Sequence, residues 1–450
     1  MKKIAKLPEG QFLKIFFAFL SACFLIAAVC MPDRDTMLPG LLQILSLPSK
    51  ISANYFSVGG YAATFLNMGL VGLASLLLFV VFKGTPNNVS TLAVVLTIGF
   101  GSWGINVLNM WFSILGVLLY SLVKKEKPAG LVNAMLFSTG IAPLITDLLI
   151  RYPNADYLGF NWLGLVLALV VGAVIGFFLP AGLAFSPKVH KGFDLYSAAL
   201  PVGMTAFFLN ATLYKTMGIS LPKALNELDP ATMLVASAPI VNIFCVTVFS
   251  LMVIAALLMG CKPKDYWKLL SDPALVTNFS TTYGNAVFLM NAGIFGLFIL
   301  GYYNLIGATF NGITFGIVFC MLATCNSGSH PGNVWPIMLG YLAASFGFGL
   351  VSPLLGGDFT FKINAQAIVV GLCYANGLSP IADKYGWRYG FLASVMHFLL
   401  VTSVPNLHGG FCLYNGGFTA ALICMILVPE LEKFTKTKDE RKAKRLAAKS

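Results

Sequence analysis

Long uninterrupted apolar runs leave this chain few ways to fold. Phe12 to Met31, Gly60 to Phe82, Asn161 to Phe185 and Ala231 to Gly260 approach or exceed the roughly 20 apolar residues that carry a helix across a hydrocarbon layer about 30 Å thick. Of all residues 58% are hydrophobic and 10% charged, against about 25% charged in an ordinary soluble domain, so a soluble core could not absorb this apolar surface. Spanning helices satisfy their backbone groups internally, and runs of this length lack the alternation of a barrel strand. The expectation is an all-α polytopic membrane protein.

The sequence also repeats itself. Gly60, Asn67, Gly69 and Gly72 recur at the same spacing as Gly284, Asn291, Gly293 and Gly296. Asn109-x-Trp111 with Gly116 recurs as Asn333-x-Trp335 with Gly340, and Gly140-Ile-Ala-Pro143 as Gly377-Leu-Ser-Pro380. Pro187, His190, Gly192, Phe193, Leu195 and Tyr196 return as Pro405, His408, Gly410, Phe411, Leu413 and Tyr414. The matches keep their order, which marks a duplicated unit. Two transmembrane repeats are expected, at residues 1–220 and 221–432, followed by a basic cytoplasmic tail at 433–450. The first half begins with the helix Phe12 to Met31 and ends with Gly192 to Tyr214; the second runs from Ala231–Gly260 to Gly410–Pro429.

Orientation follows from lysine and arginine placement. With the N-terminus inside and the helices crossing in turn, all 29 Lys and Arg residues fall inside except Arg34, Lys50, Arg151, Lys215, Lys223 and Lys362. The same scheme turns the second half over relative to the first. Each half then holds about five crossings and one hairpin, about 12 to 14 membrane segments in all, with both termini inside. The first apolar run follows Lys2, Lys3, Lys6 and Lys14 as a secretory signal would, but no small-x-small site follows it and the repeat gives it a counterpart, so it is expected to stay on the protein.

One segment is too short for its place. Ser90 to Val123 holds about 34 residues, whereas two crossings need about 40 plus a turn, and its middle is the helix-breaking run Gly99 to Asn106. Its counterpart, Cys325 to Asn333, is more polar still. Both read as re-entrant hairpins entering from opposite faces, the plainer alternative being short tilted helix pairs joined at the surface. Ser138 to Pro143 and Asn376 to Pro380 break a second helix in each half. Irregular backbone at such depth is tolerated where protein covers it or where it lines an aqueous cavity, and facing broken helices are the usual build of secondary transporters. The expectation is therefore a secondary transporter for a small polar or anionic solute held between the hairpin tips near the midplane. Ser102, Asn106, Asn326, Ser327 and Ser329 at the tips, with Ser138, Thr139, Asn376 and Ser379 at the breaks, are the candidate binding residues. A channel for a small neutral solute, an embedded enzyme acting on a lipid and a non-transporting scaffold are the rivals.

Other polar residues in apolar surroundings have simpler readings. Asn67 and Asn291 suit interhelical hydrogen bonds; Asp147 is expected to pair with Arg151, and Asp383 with Lys384 and Arg388. His397 is a satisfied core histidine or a proton-coupling group, and His190 and His408 read as caps before a Gly-Phe helix start or as gating residues. Trp111 and Trp335 read as interfacial anchors or packing residues. The nine cysteines lie singly, mostly in apolar runs, and read as buried packing residues. Neither a metal site nor a cofactor nor an enzymatic motif is expected. The net charge of +12 is dispersed over loops and tail, which argues against nucleic acid; the partners are lipid and a small solute, and a homo-oligomer is compatible with the sequence.

Two stretches, VPNLHGGFCLYNGGFTAALI and GLCYANGLSPIADKYGWRYG, resemble a family of bacterial membrane proteins known as domain of unknown function 1576, and the likeness extends over nearly the whole chain. It implies a bacterial cytoplasmic membrane address and supplies no substrate or mechanism.

Overall fold

A computed structural model describes the chain except residues 48–49, 157–158, 273–276 and 448–450 and the side chain of Arg445; the end of the expected tail, with Lys449, thus lies outside the described residues. Among the described residues there is no strand, only an isolated bridge between Ala236 and Asn311. Seven helical segments among them are long and apolar enough to cross a membrane, and the chain is an all-α membrane protein.

The first of these is α1 (Glu9–Cys30), which packs along α3 (Tyr55–Val81), with the short α2 (Met37–Ser46) laid on α3. A Cβ on Gly40 would lie 2.0 Å from the carbonyl oxygen of Gly59, so only glycine lets α2 approach this closely. α3 bends at Gly60, where φ is 84°, and the Asp33 carboxylate accepts from Tyr61 N–H (2.7 Å) and Ala62 N–H (3.0 Å) just beyond the bend. An acidic group there meets the positive end of the resumed helix.

Two shorter helices follow, α4 (Asn88–Phe100) and α5 (Met110–Lys124), joined by non-helical backbone. Next come α6 (Val132–Ser138) and α7 (Ala142–Ile150), which form one span interrupted by a 3-10 turn at Thr139–Ile141. Pro143 has no N–H to give the carbonyl of Thr139, and the turn tightens so that Ala142 supplies one. The half closes with α8 (Trp162–His190) and α9 (Ala199–Asn210).

In the second half, α10 (Ala238–Met259) and the amphipathic α11 (Pro263–Ser271) lead to a helical turn, Phe279–Tyr283. That turn meets α12 (Asn285–Leu305) at Gly284, where φ is 92°. Then come α13 (Gly312–Leu322), continued as a 3-10 turn to Asn326, and α14 (Pro331–Leu354). The broken pair α15 (Gln366–Ala375) and α16 (Ser379–Tyr385) flanks a 3-10 turn at Asn376–Leu378, and α17 (Trp387–Val401), α18 (Asn415–Phe434) and α19 (Lys438–Ala447) complete the chain.

Three helices start five or more residues later than the sequence reading. The last helix of the first half begins at Ala199 rather than Gly192, because Lys191 (φ 50°) and Gly192 (φ 82°) take left-handed conformations that end α8 and fold the chain back. Its counterpart begins at Asn415 rather than Gly410, with Gly409 and Gly410 left-handed. α10 begins at Ala238 rather than Ala231, because Thr232 and Val235 give their carbonyls to Asn54.

At the centre lie α4, α13 and the broken span Val132–Ile150; the best 18-residue window of that span is 94% buried, against 39% for α8 and for α10. α4 and α13 run antiparallel and touch through small residues: a Cβ on Gly99 would lie 2.7 Å from Gly316 O, and one on Gly316 2.2 Å from Gly99 O. The two tips consequently do not meet. Ser102 sits by Gly312 and Gly316 at the start of α13, while Ser327 bonds to the carbonyl of Asn88 at the start of α4 (3.4 Å). Thirteen helical residues at about 1.5 Å each set the tips about 20 Å apart.

Contacts also gather one end of the molecule. Gly10 abuts Thr85 and Gly84 abuts Ala129, Lys191 pairs with Glu432, and Arg441 of α19 donates to Tyr385 O. This end carries Lys83, Lys124, Lys125 and Lys127 as well, and is called the lysine-rich end below.

Candidate functional site

Most of the polar residues singled out from the sequence hold the fold together. Asn67 donates to Gly101 O (2.6 Å) and Ile105 O (2.9 Å), and Asn291 donates to Cys325 O (2.8 Å) and Ser329 O (3.0 Å). Each amide thus ties the loose carbonyls of one hairpin tip. Asn106 accepts from Leu108 and Asn109 N–H and donates to Ile44 O, and Ser102 donates to Gly99 O. Ser138 and Thr139 bond back to Met135 O and Leu136 O. Asn326 bridges Ser280 N–H and Thr91 Oγ1, and Ser329 faces Ser379 at 3.5 Å. Asn376 donates to Thr324 Oγ1 at 2.7 Å.

The ionisable residues divide. Asp147 pairs with Arg151 at 2.6 Å and accepts from Tyr214 Oη at 2.6 Å, all of it buried. Asp383 does not pair with Lys384 or Arg388; it accepts from Asn333 Nδ2 at 2.7 Å, which also ties Gly328 O. His397 Nε2 faces Gly416 O (2.8 Å) and its Nδ1 faces Tyr341 Oη (2.6 Å). A carbonyl can only accept, so Nε2 carries a proton, and both ring nitrogens have partners in the core. Both ring nitrogens of His408 lack a partner among the described residues.

A cavity of about 430 Å³ at the lysine-rich end brings the remainder together. It lies between the starts of α4 and α6, the end of α8 and the loop 191–198. Its polar lining is Asn88, Asn133, His190, Asp194, Ser197 and, from the far hairpin, Ser327. His190 Nδ1 accepts from Gly192 N–H (3.2 Å) and Asp194 N–H (3.4 Å), so Nε2 carries the proton and donates to Ser197 Oγ (2.8 Å). Asp194, 1% exposed, accepts Tyr196 N–H on Oδ1 (2.9 Å), while its Oδ2 and Asn133 Oδ1 have no partner among the described residues. Burial pushes the Asp194 carboxyl up to about 7, against the Tyr196 N–H that favours its charged form. A larger cleft beside Phe178, Phe208 and Met425 is nearly all apolar, and one around Ser345 and Lys362 lies away from both tips and both breaks.

The floor of this site joins the two halves. Leu195 N–H, one residue beyond Asp194, donates to Gly377 O at 3.0 Å, and Leu413 N–H donates to Gly140 O at 2.9 Å. A Cβ on Gly377 would meet Tyr196 at 2.7 Å and Asp194 Oδ1 at 2.8 Å, and one on Gly140 would meet Tyr414 at 2.3 Å.

The two ends differ in cover. Val89 near the start of α4 is 41% exposed and Ile313, its match in α13, 1%. There Asn54 accepts Gly312 N–H (2.8 Å) and donates to Thr232 O and Val235 O. Where Ser327 and Asp194 line the cavity, the matching positions are the buried Trp103 and Cys412. Asp194, Asn88 and Asn133 were not singled out from the sequence. Asp194 was nevertheless detectable, as the one acid inside the strongest repeated motif and a place where the two copies differ.

A family model described as "Protein of unknown function (DUF1576)" matches residues 33–215 and 262–433. No curated protein and no solved structure matches the chain.

Proposed function

The chain belongs to the DUF1576 family of proteins of unknown function, and from that premise we propose that it is a secondary transporter of a bacterial cytoplasmic membrane, taking a small polar solute through two inverted repeats. The observation that carries the reading is the unequal cover of two matched hairpins. The start of α4 opens on a polar cavity, and the start of α13 is sealed by Asn54 and residues 232–235. Two equivalent half-sites, one open and one closed, are what alternating access between inverted halves requires. The pairs Asn67 with Asn291 and Leu195–Gly377 with Leu413–Gly140 support the repeat, and the positive-inside rule puts the lysine-rich end in the cytoplasm.

In this reading the solute binds at the cavity beside Ser327 rather than between the tips. The described lining contains a carboxyl and neither Lys nor Arg, and two buried acceptors lack donors. Unpaired buried acceptors are costly, which favours a solute bearing hydrogen-bond donors over an anion. The buried residues filling the opposite end favour a carrier over an open channel.

The test is thiol accessibility on a chain freed of its nine unpaired cysteines. Asn133→Cys should react with a membrane-impermeant maleimide from the cytoplasmic side only, and Ser102→Cys from neither side. Silence at Asn133→Cys, or its reaction from outside, overturns the reading.

A further inference from the structure

Asp194 has a role that holding the fold does not explain. Its Oδ1 is used by Tyr196 N–H, while Oδ2 is buried without a partner among the described residues, and the residue lines the cavity. A carboxylate in such a place is stable only with a cation or strong donors beside it.

Among the described residues no packed element offers a cation. From α8, His190 turns its unprotonated Nδ1 toward the Asp194 N–H, and Lys191 leaves the site to pair with Glu432 of α18. α18 itself contributes the thiol of Cys424. The break between α15 and α16 brings Gly377 and the amide of Asn376, and Lys384 of α16 lies over the rings of Phe193 and Tyr385. Cys373 of α15 is held with Tyr196, whose hydroxyl donates to Cys320 O. Asp383 of α16 faces Asn333 instead. α4, α6 and the far hairpin bring the uncharged Asn88, Asn133 and Ser327.

The position matters as much as the pairing. Asp194 sits on the loop that docks on Gly377 through Leu195, at the contact that must loosen if the halves move. We propose that Asp194 is the proton-binding group of this carrier, taking up and releasing its proton through the cavity, and that its charge decides whether the loop stays docked on Gly377. This rests on the transport reading above. Neutral, the carboxyl tolerates the dry contact with Gly377; charged, it needs water or a donor and favours the undocked loop, which widens the cavity. A group that differs in proton affinity between two conformations shifts their populations with pH. The matching loop of the other half carries Cys412, so one loop of the two responds.

The sign is fixed by the closed contact raising the carboxyl above its ordinary value. The docked loop is favoured at low pH and loses that advantage as pH rises from about 4 through about 7. The experiment uses the full chain in oriented membrane vesicles, without native cysteines, with Asn133→Cys as reporter and a membrane-impermeant maleimide as probe. Its rate is divided by that of Lys127→Cys, which removes the thiol's own titration. Between about pH 5.5 and pH 8 the ratio should rise about threefold or more with Asp194 present and stay flat in Asp194→Asn. A flat ratio with Asp194 present, or an equal rise in Asp194→Asn, overturns the proposal.

Infrared difference spectra over the same pH range give a second readout that does not depend on the reporter. Because Asp383 is a second buried carboxyl, the spectra are taken in an Asp383→Asn background: a carboxylic C=O band should be lost as pH rises and should vanish when Asp194→Asn is added, and an equal loss in the double variant overturns the proposal as well. A reporter that labels without pH dependence removes the proton site alone, whereas a reporter silent at every pH removes the transport reading with it.

Discussion

The backbone N–H of Leu195 reaches the carbonyl of Gly377 across 3.0 Å and joins a loop of the first half to the break in a helix of the second. Its match, Leu413 to Gly140, closes the same joint in the other direction. Both glycines are needed, since a Cβ on either would collide with a buried tyrosine. Gly377→Ala and Gly140→Ala should each destabilise the protein by about 1–3 kcal/mol through overpacking. Thermal unfolding in detergent checks this, with Gly301→Ala, where a Cβ meets nothing within 4 Å, as the silent control.

Asn291→Leu would strip Cys325 O and Ser329 O of their shared donor. Buried carbonyls left unpaired cost about 1–3 kcal/mol each, so this variant and Asn67→Leu should melt well below the parent. Equal melting temperatures would mean that the tips find other donors.

Ser327→Trp copies into the open site the residue that its match, Trp103, places in the closed one. The bulk should enter the cavity and slow labelling of Asn133→Cys about tenfold or more, equivalent to about 1.4 kcal/mol of lost access. Ser327→Ala, which adds no volume, should leave the rate near the parent value.

Arg151→Ala would leave Asp147 buried with Tyr214 as its remaining bonded partner. Removing one partner of a buried ion pair costs about 3–5 kcal/mol, whereas replacing both by apolar groups costs much less. Folded yield should therefore fall steeply in Arg151→Ala and recover in the double variant Asp147→Leu, Arg151→Leu.

The spans and the shortness of Ser90 to Val123 are legible because each depends on counting residues along the chain. How deep the hairpins reach is not. That depth is decided where Gly99 and Gly316, far apart in sequence, let α4 and α13 slide past each other until each tip reaches the other's start. The His190 motif misleads for a local reason: Gly-Phe after a histidine suits a helix start, and nothing in it announces that Lys191 will turn left-handed. His397 lacks neighbours in sequence and gains Tyr341 and Gly416 only by folding. A search for matched residues passes over Asp194 for the opposite reason, because the site's chemistry sits where the two copies disagree.

The joint between Leu413 and Gly140 also bears on how the protein is made. The carbonyl of Gly140 enters the bilayer early in synthesis, yet its donor is encoded near the other end of the chain. Asn54 likewise must await Thr232 and Val235, and Asn278 and Asn285 turn back to Glu9 and Leu7. The first half therefore cannot reach its final form while it emerges from the ribosome; it must persist in the membrane with open bonds until the second arrives. Bonds of this kind run from the early part of the chain to residues made much later, so the early part completes them only when the rest has followed.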